Sequence, residues 1–135
     1  MAKVTARSLD GWKMQVSDGR HAWVSDLPRD KGGEDAGPSP FDQLLGALAS
    51  CACFITRQYA QTARIPVEGV VVEAEGDWVK DATAQEIYRI KLGAKYAGQL
   101  SDGDLARLAR AAETCPVRQA LGGRIRVETT VGRAS

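Results

Sequence analysis

The fold is decided by residues 39–55, which read SPFDQLLGALASCACFI. Ser39 is a preferred residue for capping a helix N-terminus, Pro40 suits the first helical position, and Asp42 completes an S-x-x-D capping box. The next four or so turns are apolar on most sides, which is typical of a buried helix. The sequence therefore predicts a long, mostly buried helix over Pro40–Thr62.

Short strands are predicted on the N-terminal side of this helix. Polar and apolar residues alternate over Lys3–Asp26, with turn signals at Asp10–Gly11 and Ser17–Gly19, so we expect two or three strands. The connecting loop, Leu27–Gly37, carries no apolar side chain larger than alanine in its Lys31–Gly37 stretch. That loop is expected to be solvated and mobile.

Two longer strands are predicted after the helix, over Val67–Trp78 and Ala84–Tyr96, as an antiparallel pair. A second capping box at Ser101–Asp104 predicts a helix that continues with apolar residues at helical spacing.

The C-terminal part begins with a turn at Cys115, and Pro116 is expected to start a short helix that Gly122 and Gly123 end. The alternation of Arg124–Val131 predicts a last strand, with Ile125, Val127 and Thr129 on one face. The whole pattern indicates one α+β domain over residues 1–135. No glycine motif of a nucleotide-binding βαβ unit is present.

The amino-acid composition indicates which classes of partner are not expected. Eighteen Lys and Arg against 17 Asp and Glu give a formal charge of +1, with the basic residues scattered, so nucleic acid is not expected as a partner. The chain has neither an apolar run long enough to cross a bilayer nor a secretory signal at Met1–Arg7. We therefore expect a cytoplasmic protein with no membrane partner.

Chemistry is expected from free thiols, because the three cysteines are an odd number in a reducing compartment. Cys115 precedes Pro116 at a helix start, where unpaired N–H groups favour a thiolate. Cys51 and Cys53 point to nearly opposite sides of their helix, so only one of them can face a given cleft. A single histidine, His21, argues against a His-rich metal site, and we assign it no role.

The stretch GPSPFDQLLGALASC over residues 37–51, followed by Cys115-Pro116-Val117, resembles the OsmC/Ohr family of thiol-dependent hydroperoxide reductases. The resemblance implies an OsmC-like fold in which a long central helix is wrapped by antiparallel sheets in an intertwined homodimer. It also implies that Cys51 attacks the peroxide, that Cys115 resolves it as a disulfide, and that an external dithiol reduces that disulfide. No metal, haem or flavin cofactor is then needed. Cys53 matches no family site.

The family resemblance also concerns the charges around the thiolate. Cys51 lies about three turns into its helix, far from the N-terminal dipole, so its charge must be stabilised from elsewhere. Family members use an arginine from the N-terminal strands, for which Arg20 is the candidate, and a glutamate that would fall at Phe41. The nearest carboxylate here is Asp42, which already has a role in the capping box. Arg118 is an alternative support for a Cys115 thiolate.

Two hypotheses follow. The first is a cysteine peroxidase that reduces organic hydroperoxides or hydrogen peroxide through a Cys51–Cys115 disulfide cycle, with Arg20 and Asp42 as supporting residues. The second is a non-catalytic dimer that binds a small apolar molecule in a cleft at the dimer interface, lined by Leu44, Leu48, Phe54 and aromatic strand residues.

Overall fold

The structure is a computed structural model that describes residues 1–134. Contacts divide the chain into two units, residues 1–46 and residues 47–134, and the boundary falls within the first helix. The predicted N-terminal strands lie in the first unit, and the predicted pair of longer strands lies in the second.

The first unit contains a three-stranded antiparallel sheet in the order β1-β2-β3. Its strands are β1 (Thr5–Ser8), β2 (Met14–Ser17) and β3 (Ala22–Ser25). The turn between β2 and β3 is closed by Asp18, whose carboxylate accepts the backbone N–H groups of Arg20 and His21 at 2.9 and 2.7 Å. The predicted N-terminal strands are confirmed, and there are three of them.

The loop after β3 is exposed over most of its length, and several of its backbone groups are hydrogen-bonded. Asp26 is only 2% exposed, and its carboxylate accepts the backbone N–H groups of Leu27, Glu34 and Ala36 at 2.8 to 3.1 Å. Residues 29–31 form a 3-10 turn inside the same loop. Burial opposes the negative charge of Asp26, but the three N–H donors outweigh it and keep the pKa of the carboxyl below its ordinary value. The loop is solvated as predicted, and the buried acceptor at its start was not indicated by the sequence pattern.

Gly37 lets the end of the loop approach β3, because a Cβ atom at this position would overlap the carbonyl of Val24. Helix α1 (Pro40–Ala63) starts immediately afterwards. The predicted capping box is confirmed: Ser39 N–H donates to Asp42 at 3.0 Å, and Asp42 N–H donates to Ser39 Oγ at 3.2 Å.

A glutamine ties the start of α1 to β3. The side-chain carbonyl of Gln43 accepts the indole N–H of Trp23 at 2.8 Å, and its amide donates to Ser25 Oγ at 2.8 Å. These bonds satisfy both ends of one amide group and therefore define the orientation of the first helical turn.

In the second unit, α1 buries a single stripe of residues four apart, Leu48, Ala52, Thr56 and Ala60. The hydroxyl of Thr56 is fully buried and donates to the carbonyl of Ala52 at 2.8 Å, so the stripe carries no unpaired polar side chain there. The sequence predicts burial on most sides of this helix, but Phe54 is 75% exposed. Phe54 therefore lies on a side of α1 that the rest of residues 47–134 leaves exposed at this position.

Strands β4 (Gly69–Lys80) and β5 (Glu86–Ala97) form the predicted antiparallel pair, in register from Gly69↔Ala97 to Lys80↔Glu86. One face carries opposite charges on facing strands, including Asp77 and Arg89, whose carboxylate and guanidinium lie 3.4 Å apart. The other face is apolar and includes Val70, Val72, Ile90 and Leu92.

Helix α2 (Asp102–Ala112) begins at the predicted capping box of Ser101 and Asp104. Its Leu108 is fully buried and forms a core with Ala60 and Ile65. Helix α3 (Pro116–Leu121) then follows Cys115, as the Cys-Pro pair predicts. No helix within residues 1–134 has the length and hydropathy needed to cross a bilayer.

The predicted last strand, Arg124–Val131, is wrong for this chain. Residues 124–134 have no regular secondary structure, and Ile125 and Val127 are 56% and 81% exposed. An alternating pattern gives a residue the tendency to be extended, but a strand also needs a neighbour for its N–H and C=O groups. Among residues 1–134, no strand pairs with this segment.

The three hydrogen bonds that the Asp26 carboxylate accepts from the loop, here called the loop clamp, give the first prediction. Asp26→Asn replaces an acceptor oxygen by an N–H donor that faces backbone N–H groups, so the thermal midpoint should fall at neutral pH. Because the pKa of Asp26 is lowered on folding, its contribution is complete above the unfolded pKa of about 4 and is lost as pH falls through the folded value. Thermal melts of both proteins from neutral to acidic pH should therefore converge. Asp30→Asn, an exposed change in the same loop, is the control, and an equal loss there would contradict the clamp.

Candidate functional site

The site is built around Cys115, which is 1% exposed and is the N-cap residue of α3. Its Sγ accepts the backbone N–H of Arg118 at 3.5 Å, as a serine hydroxyl would at this position. Pro116 starts the helix without needing an N–H partner. The thiol is therefore held by the same local geometry that starts the helix.

Cys51 approaches this thiol from α1. The Cys115 side chain and the backbone N–H of Val117 both lie close enough to Cys51 to affect the pKa of its thiol. Cys51 is partly exposed, whereas Cys115 is buried. The structure thus brings together two thiols that lie 64 positions apart in the sequence, one partly exposed and the other buried.

The surroundings of Cys51 raise the pKa of its thiol. Burial is the largest cause, because it disfavours the charged thiolate, and the interaction with Cys115 raises the pKa further. The N–H of Val117 acts in the opposite direction by stabilising the thiolate. Within the second unit, the balance favours the neutral thiol.

Cys53 has a different neighbourhood, as the helical geometry predicts. It lies close enough to Tyr96 for its charge to contribute to the raised pKa of that phenol, whose main cause is burial. Tyr96 packs against the core formed by Ala60, Ile65 and Leu108. Cys53 therefore lies on the core side of α1, away from the contact that Cys51 makes with Cys115.

The other predicted site residues belong to the first unit and have local contacts there. Arg20 is an exposed residue of the β2–β3 turn, and Asp42 makes the capping box of α1. The His21 ring nitrogen Nδ1 lies 2.9 Å from a carboxylate oxygen of Asp18 and holds the pKa of that carboxyl below its ordinary range. Phe41, at the position of the family glutamate, is 42% exposed.

The second unit contains two cavities that bear on the predicted apolar cleft. The first, of about 450 Å³, is here called the Leu48 cavity. It is lined by Leu48, Tyr88, Ile90, Leu92, Arg118, Leu121 and Gly122. The second, of about 390 Å³, is called the Ala52 cavity; it shares Leu92 and Arg118 with the first and also includes Glu113. The alternation of β5 predicts its apolar face, but only the packing shows that this face leaves space beside α3.

Leu48 and Tyr88, an aromatic residue of β5, meet at the Leu48 cavity, as part of the predicted apolar cleft requires. Leu48 lines the cavity named after it, Phe54 lines a separate surface depression, and Leu44 belongs to the first unit. No group of three His, Cys, Asp or Glu side chains among residues 1–134 is arranged to hold a metal ion.

Comparisons with known proteins agree on the fold. The family described as OsmC-like protein matches residues 32–130. An organic hydroperoxide resistance protein OsmC from Legionella pneumophila is 23% identical, over 91% of this chain and 90% of that chain, with a TM-score of 0.70. An OsmC-like protein from Mycoplasma pneumoniae is 18% identical, over 91% and 88%, with a TM-score of 0.78.

The organic hydroperoxide resistance protein OhrB of Bacillus subtilis is 23% identical, over 91% of both chains, with a TM-score of 0.67. No curated protein matches the chain. The α+β arrangement of a long helix with antiparallel sheets is thus that of the OsmC-like structures. Since the family match covers most of the sequence, including both Cys51 and Cys115, this chain belongs to the OsmC-like protein family.

Proposed function

We propose that the protein is a thiol peroxidase that reduces hydroperoxides through a disulfide between Cys51 and Cys115. The observation that supports this proposal is the contact between the two thiols, together with the difference in their exposure. A peroxide can approach the partly exposed Cys51, while the buried Cys115 is adjacent and protected from direct oxidation. The named relatives among organic hydroperoxide resistance proteins suggest the same redox role.

The proposed cycle has three balanced steps. The Cys51 thiolate attacks the peroxide oxygen, the O–O bond breaks, and the alkoxide takes a proton and leaves as an alcohol, which leaves Cys51 as a sulfenic acid. The Cys115 thiol then attacks this sulfur, so that an S–S bond forms and water leaves. An external dithiol exchanges with the disulfide, restores both protein thiols and is itself oxidised.

The proposal requires the Cys51 thiolate, and the described contacts supply only part of its stabilisation. The N–H of Val117 lowers the pKa of Cys51, but burial and Cys115 raise it by more. We propose Arg20 as a further stabilising charge, with Asp42 as a weaker supporting candidate because its carboxylate is engaged in the capping box. Without such a charge, the protein is expected to be most reactive at alkaline pH.

We further propose that the protein acts as a homodimer in the cytoplasm. The single chain exposes large apolar residues, among them Phe54 at 75% and Val71 at 60%. The segment 124–131 has the alternation of a strand but no strand neighbour among residues 1–134. A second copy would cover such surfaces and supply hydrogen-bond partners to the segment.

A second candidate function is supported by the Leu48 and Ala52 cavities. Their volumes of about 450 and 390 Å³ fall in the usual range for small-molecule sites, and the wall of the Ala52 cavity is mainly apolar. On this hypothesis, the raised pKa of Cys51 keeps it as an unreactive thiol, and the protein is a non-catalytic binding dimer. Peroxide consumption distinguishes the two candidates.

The central prediction concerns disulfide formation. One equivalent of an organic hydroperoxide added to the fully reduced protein should produce a Cys51–Cys115 disulfide, which non-reducing peptide mapping by mass spectrometry would detect. Cys51→Ser should abolish peroxide consumption. Cys115→Ser should instead leave a sulfenic acid on Cys51 that dimedone traps.

Cys53→Ser is the matched control for these variants, because it removes a thiol from the same helix without touching the pair. It should form the Cys51–Cys115 disulfide at the wild-type rate. Undiminished peroxide turnover in Cys51→Ser would refute the peroxidase. Unmodified thiols in the wild type would favour the binding protein.

The raised pKa of Cys51 predicts a particular pH profile. Below its pKa the thiolate fraction grows about tenfold with each pH unit, so alkylation of Cys51 by iodoacetamide should still accelerate above about pH 9. Stopped time points analysed by mass spectrometry would give the rate at Cys51 separately from the other two cysteines. A plateau already reached at neutral pH would contradict the prediction and indicate a cation near the thiol. A loss of that plateau in Arg20→Met would identify Arg20 as the cation.

A further inference from the structure

A groove between α1 and α2, here called the Arg110 groove, is separate from the two cavities beside α3. Its volume is about 500 Å³, and it shares no lining residue with the Leu48 or Ala52 cavities. Helix α2 contributes Arg107 and Arg110 to the groove, whereas its Leu105 and Ala109 line the Ala52 cavity. At about 100° per residue, these two pairs lie on nearly opposite faces of α2. The groove is therefore a different site from the cavities described above.

The groove carries positive charge, and no acidic residue is among those that line it. Arg110 is exposed, and among residues 1–134 no carboxylate lies within 4.0 Å of its guanidinium, because the ion pairs there involve other residues. Arg107 pairs with Asp104 at 2.6 Å, but a guanidinium has five N–H donors, and this contact does not use them all. An unpaired cation thus lies beside a partly neutralised one.

The rest of the groove wall is mainly apolar and includes one phenol. Ile55 of α1 and Ala111 of α2 supply apolar surface. Tyr59 of α1 lies close enough to Arg107 to contribute to the raised pKa of its guanidinium, whose main cause is Asp104. A phenol can donate a hydrogen bond, so charged and neutral donors lie together beside an apolar surface.

We propose that the Arg110 groove binds a phosphate group, carried by a small molecule whose apolar part contacts Ile55 and Ala111. A phosphate monoester has three terminal oxygens and about two negative charges at neutral pH, so it can accept from several donors at once. A carboxylate has only two oxygens and one charge, and it would leave donors of the groove without a partner. This inference is independent of the peroxidase function and of all three thiols.

The inference is tested by isothermal calorimetry in a phosphate-free buffer of low ionic strength, with phenyl phosphate as the probe. Phenyl phosphate should bind once per chain and more tightly than inorganic phosphate, because its ring adds apolar contact. Phenylacetate, which presents a carboxylate beside a similar ring, should bind more weakly than phenyl phosphate. Added salt should weaken the binding, since charges at an exposed groove are screened.

Arg110→Met should weaken the binding of phenyl phosphate by about tenfold, the effect of losing one charged hydrogen-bond pair. Arg110→Lys keeps the charge but loses the planar fork of donors, so its affinity should lie between the two. Arg64→Met is the matched control, because Arg64 is exposed, follows α1 directly and does not line the groove. It makes the same change of net charge and should keep the wild-type affinity.

A second measurement locates the binding without any variant. Amide chemical shifts of the wild type, followed by NMR as phenyl phosphate is added, should change around residues 55–62 of α1 and 107–114 of α2. Changes confined to other parts of the chain would place the phosphate elsewhere and contradict the inference, even if Arg110→Met failed to fold.

The inference and the peroxidase fail separately. Cys51→Ser should bind phenyl phosphate as the wild type does, whether or not the wild type consumes peroxide. Equal affinities of Arg110→Met and the wild type, or equal affinities for phenyl phosphate and phenylacetate, would overturn the phosphate site and leave the disulfide cycle intact.

Discussion

The second unit depends on how α1 is rotated about its own axis, and burial of one stripe determines that rotation. Leu48, Ala52, Thr56 and Ala60 recur every four residues, and two of them are alanines that allow close packing. On an ideal helix, Cys51 lies about 60° from Leu48 at one edge of this stripe, and Cys53 lies just beyond the opposite edge. Once the stripe is buried, one thiol must face α3 and the other must face the Tyr96 core.

The position of the Cys115 thiol follows from the capping of α3 as well as from packing. Cys115 caps α3 with its own sulfur, and Pro116 suits the first helical position. The same short segment supplies Val117 N–H to Cys51 and Arg118 N–H to Cys115. One helix start therefore orients both sulfurs, and a change in that turn would disturb the pair.

Burial has opposite effects on two properties that the site needs, the protection of Cys115 and the ionisation of Cys51. It shields Cys115 and creates apolar walls that can hold the carbon skeleton of a ligand, but it also raises the pKa of Cys51 and so reduces the fraction of reactive thiolate. The backbone N–H of Val117 lowers the pKa of Cys51 and so offsets part of this increase. Of the residues predicted to support the thiolate, Arg20 and Asp42 belong to the first unit, where their described contacts are local.

The sequence by itself determined the local structure: capping boxes at Ser39 and Ser101, the Cys115-Pro116 helix start and the alternating strands are short-range patterns that each segment encodes alone. Only the tertiary structure decided which thiol meets Cys115 and where the cavities lie, because these depend on contacts between segments far apart in sequence. The tertiary structure also shows that the loop bonds to the buried Asp26 carboxylate and that residues 124–131 have no strand neighbour among residues 1–134. A strand requires a neighbour, and no alternation within one segment can supply it.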